Sequence, residues 1–361
     1  MFWHPYGGIY FRLSGRAVRK NLTRFSIGLS PFLFAGISLL WGAYSIAPWT
    51  IAKVLLSKIF FLKPADVGTE LSILWDIRLP RIILSALVGA ALSGAGVTLQ
   101  GIFRNPLVDP FILGLSSGAA FGCALSVALF PKFPIPVAAF IFSLIASFTT
   151  YLLARSRGEI SRLHLVLSGI VISAFFSALV SILKFLVDPH KLVSIVYWLL
   201  GSFSLSDWSS IWIASFGMIV ACVPLILMRW RLNALSMGEE EARALGIPVE
   251  RDRLLFIGAA SLAVGSAVSV SGIIGWVGLM VPHLTRMLIG PDHRLLMPYS
   301  FAAGAAFMIL ADTLARNLTS FDIPVGIITT LSGTPFFIYL LKKAPGKAGA
   351  NDRGQRTHFS A

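Results

Sequence analysis

Apolar stretches of about 20 residues recur along the whole chain, and each can cross a roughly 30 Å hydrocarbon layer as an α-helix. The approximate spans are 25–47, 82–101, 110–130, 134–154, 163–186, 210–229, 254–274, 276–289, 298–316 and 324–341. The eighth is short and reads as a half-helix, because Gly275, Gly278 and Pro282 interrupt it. Helix is forced here, since a backbone amide in lipid finds no water and must bond within its own segment. The expected fold is therefore all-α, a polytopic integral membrane protein of about ten transmembrane helices. Composition excludes the soluble alternative: only 13% of the 361 residues are charged, against about a quarter in soluble domains. The first apolar run begins near Phe25, and no small-residue cleavage site follows it, so a cleavable signal peptide is not expected.

The net charge of +14 matters through its distribution. With the N-terminus placed in the cytoplasm and ten alternating spans, 21 of the 30 Lys and Arg fall on the cytoplasmic side. By the positive-inside rule that split predicts both termini inside. The basic tails, 1–24 and 344–361, then serve as orientation signals near anionic lipid and not as nucleic-acid arms. The transmembrane domain is expected over 25–343, with the C-terminal tail flexible.

An internal echo connects two of the spans. Residues 87–96 (LVGAALSGAG) and 263–272 (AVGSAVSVSG) match at an offset of 176 in Val88/Val264, Gly89/Gly265, Ala91/Ala267, Ser93/Ser269 and Gly96/Gly272. Pro106 and Pro282 keep the same offset. Five spans separate the copies, so they run in opposite directions, as in the inverted repeats of transporters. Ala86, Ala90, Gly94 and Thr98 share one helix face, and Ser85, Gly89 and Ser93 another. Small residues at this spacing either let two helices approach closely or line a wide path.

The residues exclude several chemistries. No Gly-rich loop ends in Lys-Ser or Lys-Thr, so the chain holds no ATP-binding P-loop. No His-Glu-x-x-His or Gly-x-Ser-x-Gly occurs, so no enzyme activity is expected. His4, His164, His190, His283, His293 and His358 lack metal-ligand spacing, and Cys123 and Cys222 fall in different spans. Neither a metal site nor a cofactor is expected. A carrier working alone would place coupling carboxylates near mid-membrane. The nearest candidate is Asp312, and Arg316 one turn on is a sufficient structural partner for it. The energy source is therefore sought in another subunit.

The longest hydrophilic inner loop contains LSMGEEEARALGIPVERDR. Gly238 and Gly246 bracket one short helix, with Glu239, Glu240 and Glu241 at its start, where the helix dipole favours acids. Ala242 and Leu245 give it a small apolar face. Such a helix suits the groove of another protein.

Taken together, these segments resemble the permease subunits of type II ABC importers, the group carrying iron-siderophore complexes, haem and cobalamin. The resemblance covers about residues 70–343 and rests on six motifs in order: RLPR (78–81), GAALSGAGVTLQGIFRNPLVDPFILGLSSGA (89–119), GEEEARALGI (238–247), GWVGLMVPHLTRMLIGPDHR (275–294), ADTLAR (311–316) and IPVGIITTLSGTPFFIYLL (323–341). It implies a pair of permeases (two copies or a paralogue) around a central path, two cytoplasmic ATP-binding subunits, and a periplasmic or surface-anchored substrate-binding protein. It implies that the loop at 233–250 is the coupling element, with Gly238, Ala242, Leu245 and Gly246 matching its motif and Glu239, Glu240, Glu241 and Arg243 as polar contacts. It places Arg78, Arg81 and Arg316 at the dock for the binding protein, where rim charges steer association. It makes Asn105, Pro106 and Leu107 candidates for the inner gate, although RSRGEISRLH does not clearly supply the gate's second part. Iron-siderophore is the expected cargo; cobalamin, haem and molybdate are the alternatives. The inner membrane is the expected location.

Overall fold

The structure is a computed structural model that describes residues 7–42, 44–60, 68–156 and 159–343. Its helices are α1 (Gly7–Leu40), α2 (Pro48–Ile59), α3 (Gly68–Ser72), α4 (Leu79–Phe103), α5 (Leu115–Leu129), α6 (Ile135–Ala154), α7 (Arg162–Leu186), α8 (Pro189–Leu199), α9 (Trp208–Leu227), α10 (Arg229–Met237), α11 (Glu239–Ala244), α12 (Val249–Ser271), α13 (Val277–Ile289), α14 (His293–Asn317) and α15 (Val325–Lys343). A π-helical turn, Ile73–Arg78, joins α3 to α4, and a 3-10 turn, Pro110–Leu113, precedes α5. A minimal antiparallel ladder pairs Arg155 with Ile160 between α6 and α7.

All ten expected spans are helices. Among the described residues, eight segments are long and apolar enough to cross a membrane, and α5 and α13 are shorter apolar helices. The boundaries moved where local chemistry dictates. α5 starts at Leu115 and not at 110, because the Asp109 carboxylate caps the 3-10 turn through Phe111 N–H and Gly114 follows in a left-handed conformation (φ +80°). The segment expected as a tail over 1–24 is helical from Gly7, and residues 1–6 and 344–361 lie outside the described residues. α1 stops at Leu40 where the Arg78 guanidinium bonds the carbonyls of Leu39 and Tyr44, satisfying acceptors that a helix end leaves open.

α4 is the hub, packing on α14, α12, α13 and α9. Of the apolar stretch that contains α4, 78% is buried, against 6% of that in Lys20–Leu40 of α1. Close approach explains its small residues: a Cβ at Gly89 would stand 2.2 Å from the Gly304 carbonyl oxygen, and one at Gly96 would stand 1.9 Å from that of Gly278. The small-residue faces of α4 are thus used for packing, the drive available where lipid offers no hydrophobic gain. The two echoed segments, in α4 and α12, lie side by side. They run antiparallel: Arg104 at the end of α4 meets Leu235, upstream of α12. At the other end, Ser271 of α12 bonds Ser202, near the start of α4. The proline echo does not carry over, since Pro106 sits in a turn and Pro282 inside α13.

Candidate functional site

The loop singled out in the sequence folds as a pair of short helices, α10 and α11, broken at Gly238. Gly238 is extended (φ −179°), and the three glutamates occupy the first turn of α11. At the other end the chain closes in a 6→1, 5→2 pattern: Ile247 N–H bonds Ala242 O at 3.0 Å, and Gly246 N–H bonds Arg243 O at 2.9 Å. Gly246 takes φ +75°, the left-handed position that such a helix stop assigns to glycine. Ala242 and Ile247 are buried beneath this stop. Glu240, Glu241 and Arg243 face outward, flanked by Met237 (67% exposed) and Leu245 (65%). Leu245, expected on the apolar face with Ala242, points instead to the open side. α11 therefore presents a mixed apolar and charged face.

Polar bonds seat this pair on the bases of four helices. Arg104, just past α4, donates from Nε to Leu235 O at 3.1 Å. Arg231 reaches the fully buried Asp252 of α12 at 3.1 Å. Asn233 receives the His293 N–H at the start of α14 and donates to Asp292 at 2.7 Å. Glu239 accepts from Arg253 of α12 at 2.5 Å and from Arg162 of α7 at 3.3 Å. None of Arg104, Arg162, Asn233 and Arg253 was singled out as a site residue. Their partners lie 131, 77, 60 and 14 residues away, beyond the reach of any local pattern.

Asn105, Pro106 and Leu107 occupy the exposed turn after α4. Arg104 is left-handed (φ +51°), and the Asn105 side-chain oxygen accepts from Leu107 N–H at 2.9 Å, an Asx turn. This turn lies at the same end of the bundle as α10 and α11.

Arg78, Arg81 and Arg316 gather at the opposite end. Arg78 and Arg81 are buried, and all three are bonded within the chain. Arg81 pairs with Asp312 at 2.8 Å and with Asp322 at 2.7 Å. Arg316 pairs with Asp312 at 3.3 Å and bonds Ser38 of α1. Asp322 also accepts from Ser204 at 3.1 Å. Three helices and two loops meet at this clasp, and Asp312 has two arginine partners within it.

Between α12 and α13 the chain is broken. Gly272 (φ +67°) and Trp276 (φ +73°) both take left-handed angles, rare for a bulky residue and informative where the surroundings enforce it. The Trp276 ring packs on Gly333 and stands 5.7 Å from Phe337 of α15. Gln100, buried in α4, holds α13 just past the break: its amide donates to Leu279 O at 3.3 Å and its oxygen accepts from Arg286 at 2.9 Å. His283 packs against Phe336 and Phe337, and no group of metal-ligating side chains occurs among the described residues.

A polytopic bundle with paired antiparallel helices, a broken helix and a helix pair presented at one end is the build of a transport permease. The chain belongs to the FecCD transport family, whose model matches residues 31–343. It is 44% identical over 326 residues to the Helicobacter pylori protein named "Probable iron chelatin transport system permease protein", covering 90% of this chain and 99% of that one. It is 40% identical to the molybdate import system permease protein MolB of Haemophilus influenzae, over 88% of this chain and 96% of that one. Among solved structures it matches a metal-chelate type ABC transporter in an inward-facing conformation, with a TM-score of 0.78 and 38% identity, covering 89% of this chain and 98% of that one. The chain is thus a multi-pass membrane permease.

Proposed function

We propose that this chain is the translocation subunit of an ATP-driven importer whose cargo is a ferric siderophore or a related metal chelate. The observation that carries the reading is the α10–α11 pair, which is tied to α4, α7, α12 and α14 while Met237, Glu240, Glu241, Arg243 and Leu245 stay exposed. A helix seated on four others and open on its far side is a lever for a partner. The partners are two cytoplasmic ATP-binding subunits, which supply hydrolysis, and a second permease, identical or paralogous. The lever end is cytoplasmic, as are both termini, because the basic residues concentrate there. The exposed turn Asn105–Pro106–Leu107, next to the lever, forms the inner gate. The opposite end receives a substrate-binding protein; there Arg78, Arg81 and Arg316 hold the rim of the dock in shape.

Cargo is tested by uptake. Cells lacking the gene, and the same cells complemented, are given radiolabelled ferric siderophore and labelled cobalamin. Loss of iron uptake alone is expected, restored by the intact gene and not by a chain lacking 238–246 that still inserts in the membrane. Loss of cobalamin uptake alone keeps the importer and replaces the cargo. If neither changes, haem and molybdate are tested next, on the likeness to the hemin and molybdate permeases.

A further inference from the structure

Glu239 differs from its neighbours in the acidic run. Glu240 and Glu241 are exposed, whereas a single Glu239 oxygen accepts from arginines on two different helices. Arg253, on α12, is 4% exposed and also holds Glu250 at 3.1 Å. Arg162 is the first residue of α7, and α7 packs mainly on α5, α6 and the 3-10 turn. The α10–α11 pair packs mainly on α4 and α14 and less on α9 and α12, while α12 itself packs on α5 and α6. The Arg162–Glu239 bridge therefore ties α11 directly to α7, a helix outside that set.

Resting on the ATP-driven reading above, we propose that Glu239 is a positioning residue that passes displacement of α11 to α7 through Arg162 and to α12 through Arg253, and not a contact for the ATP-binding subunit. A bridge with both side chains about one third exposed (31% and 38%) contributes little to stability. Its removal should leave the fold intact and change what moves with what. Glu240, Glu241 and Arg243 are left to face the partner.

The test uses the full transporter in proteoliposomes with its ATP-binding subunits and binding protein, and labelled ferric siderophore as the probe. Two variants are compared with wild type: Glu239→Gln, which keeps an acceptor oxygen for the buried Arg253, and Arg162→Met, which removes the partly exposed bridge and leaves Arg253 its partners. The expected result is ATP hydrolysis near the wild-type rate with at least about fivefold more ATP spent per probe transported. Arg162→Lys, which keeps the cation, should restore the ratio. Spin labels at Leu163→Cys and at Ala244→Cys, exposed on α11, give a readout free of cargo: their separation should be narrow in wild type and broad in Arg162→Met when ATP and vanadate are added. Unchanged ratios and unchanged label distances in both variants would overturn the proposal. A wild-type complex that hydrolyses no ATP would instead sink the importer reading itself.

Discussion

Arg81 donates from Nε to Asp312 Oδ1 at 2.8 Å, joining α4 to α14 across 231 residues of chain. Asp312 also faces Arg316 at 3.3 Å, and its own side chain is 1% exposed. Removing one member of a buried ion cluster leaves its partners charged and unpaired, which costs about 3 to 5 kcal/mol. Asp312→Asn should therefore lower the thermal transition of the detergent-purified protein markedly. Asp322→Asn, at a half-exposed partner of the same arginine, should lower it much less. Equal losses in the two variants would contradict the burial argument.

Helix contact through glycine makes a second prediction. A Cβ at Gly89 meets backbone, the Gly304 oxygen at 2.2 Å and then Met308, so α4 and α14 must separate. Overpacking of this kind costs about 1 to 3 kcal/mol, and Gly89→Ala should unfold at lower temperature or lower SDS fraction. Gly36→Ala and Gly258→Ala, where nothing stands within 4 Å, should leave both unchanged.

Gly246 isolates a purely conformational requirement. No atom lies within 4 Å of its absent Cβ, yet φ is +75°, which costs a side-chain-bearing residue about 1 to 2 kcal/mol. Gly246→Ala should loosen the stop after α11, seen as faster amide exchange at Gly246 and Ile247. Gly246→Asn should exchange at an intermediate rate, because asparagine tolerates the left-handed region better.

Asp109 and Asp292 respond to pH with opposite sign. Burial pushes the Asp109 carboxyl up to about 6, against the Phe111 N–H that lowers it. Its fold therefore favours the protonated form; that contribution is whole below the ordinary value of 3.8 and is lost as pH rises through about 6. Asp292 is held below the usual range by the Asn233 side chain and the Arg294 N–H. Its contribution is present above the ordinary carboxylate value and is lost as pH falls through its lowered value. In thermal unfolding across pH, Asp109→Asn should flatten the decline on the way to about 6. Asp292→Asn should remove part of the loss at the acid end.

Much of this molecule is legible without tertiary information, because lipid allows so few solutions. A stretch such as 163–186 has to be helix, and α7 spans Arg162–Leu186. Gly238 and Gly246 likewise bracket a helix by local rules: one opens the break, and the other supplies the left-handed stop. What local rules leave open is which of two uses a residue serves. Gly89 and Ser93 suit a path as well as a tight contact, and only the arrival of Gly304 on α14 selects the contact. Arg78, expected at the dock, also bonds the carbonyls of Leu39 and Tyr44 at the end of α1, a contact no local pattern shows. Glu239 looks like Glu240 and Glu241 until Arg162 and Arg253 converge on it. The physical reason is range: hydrophobic length and turn chemistry act over a few residues, whereas a charge is assigned its partner by helices that meet only after the bundle has closed.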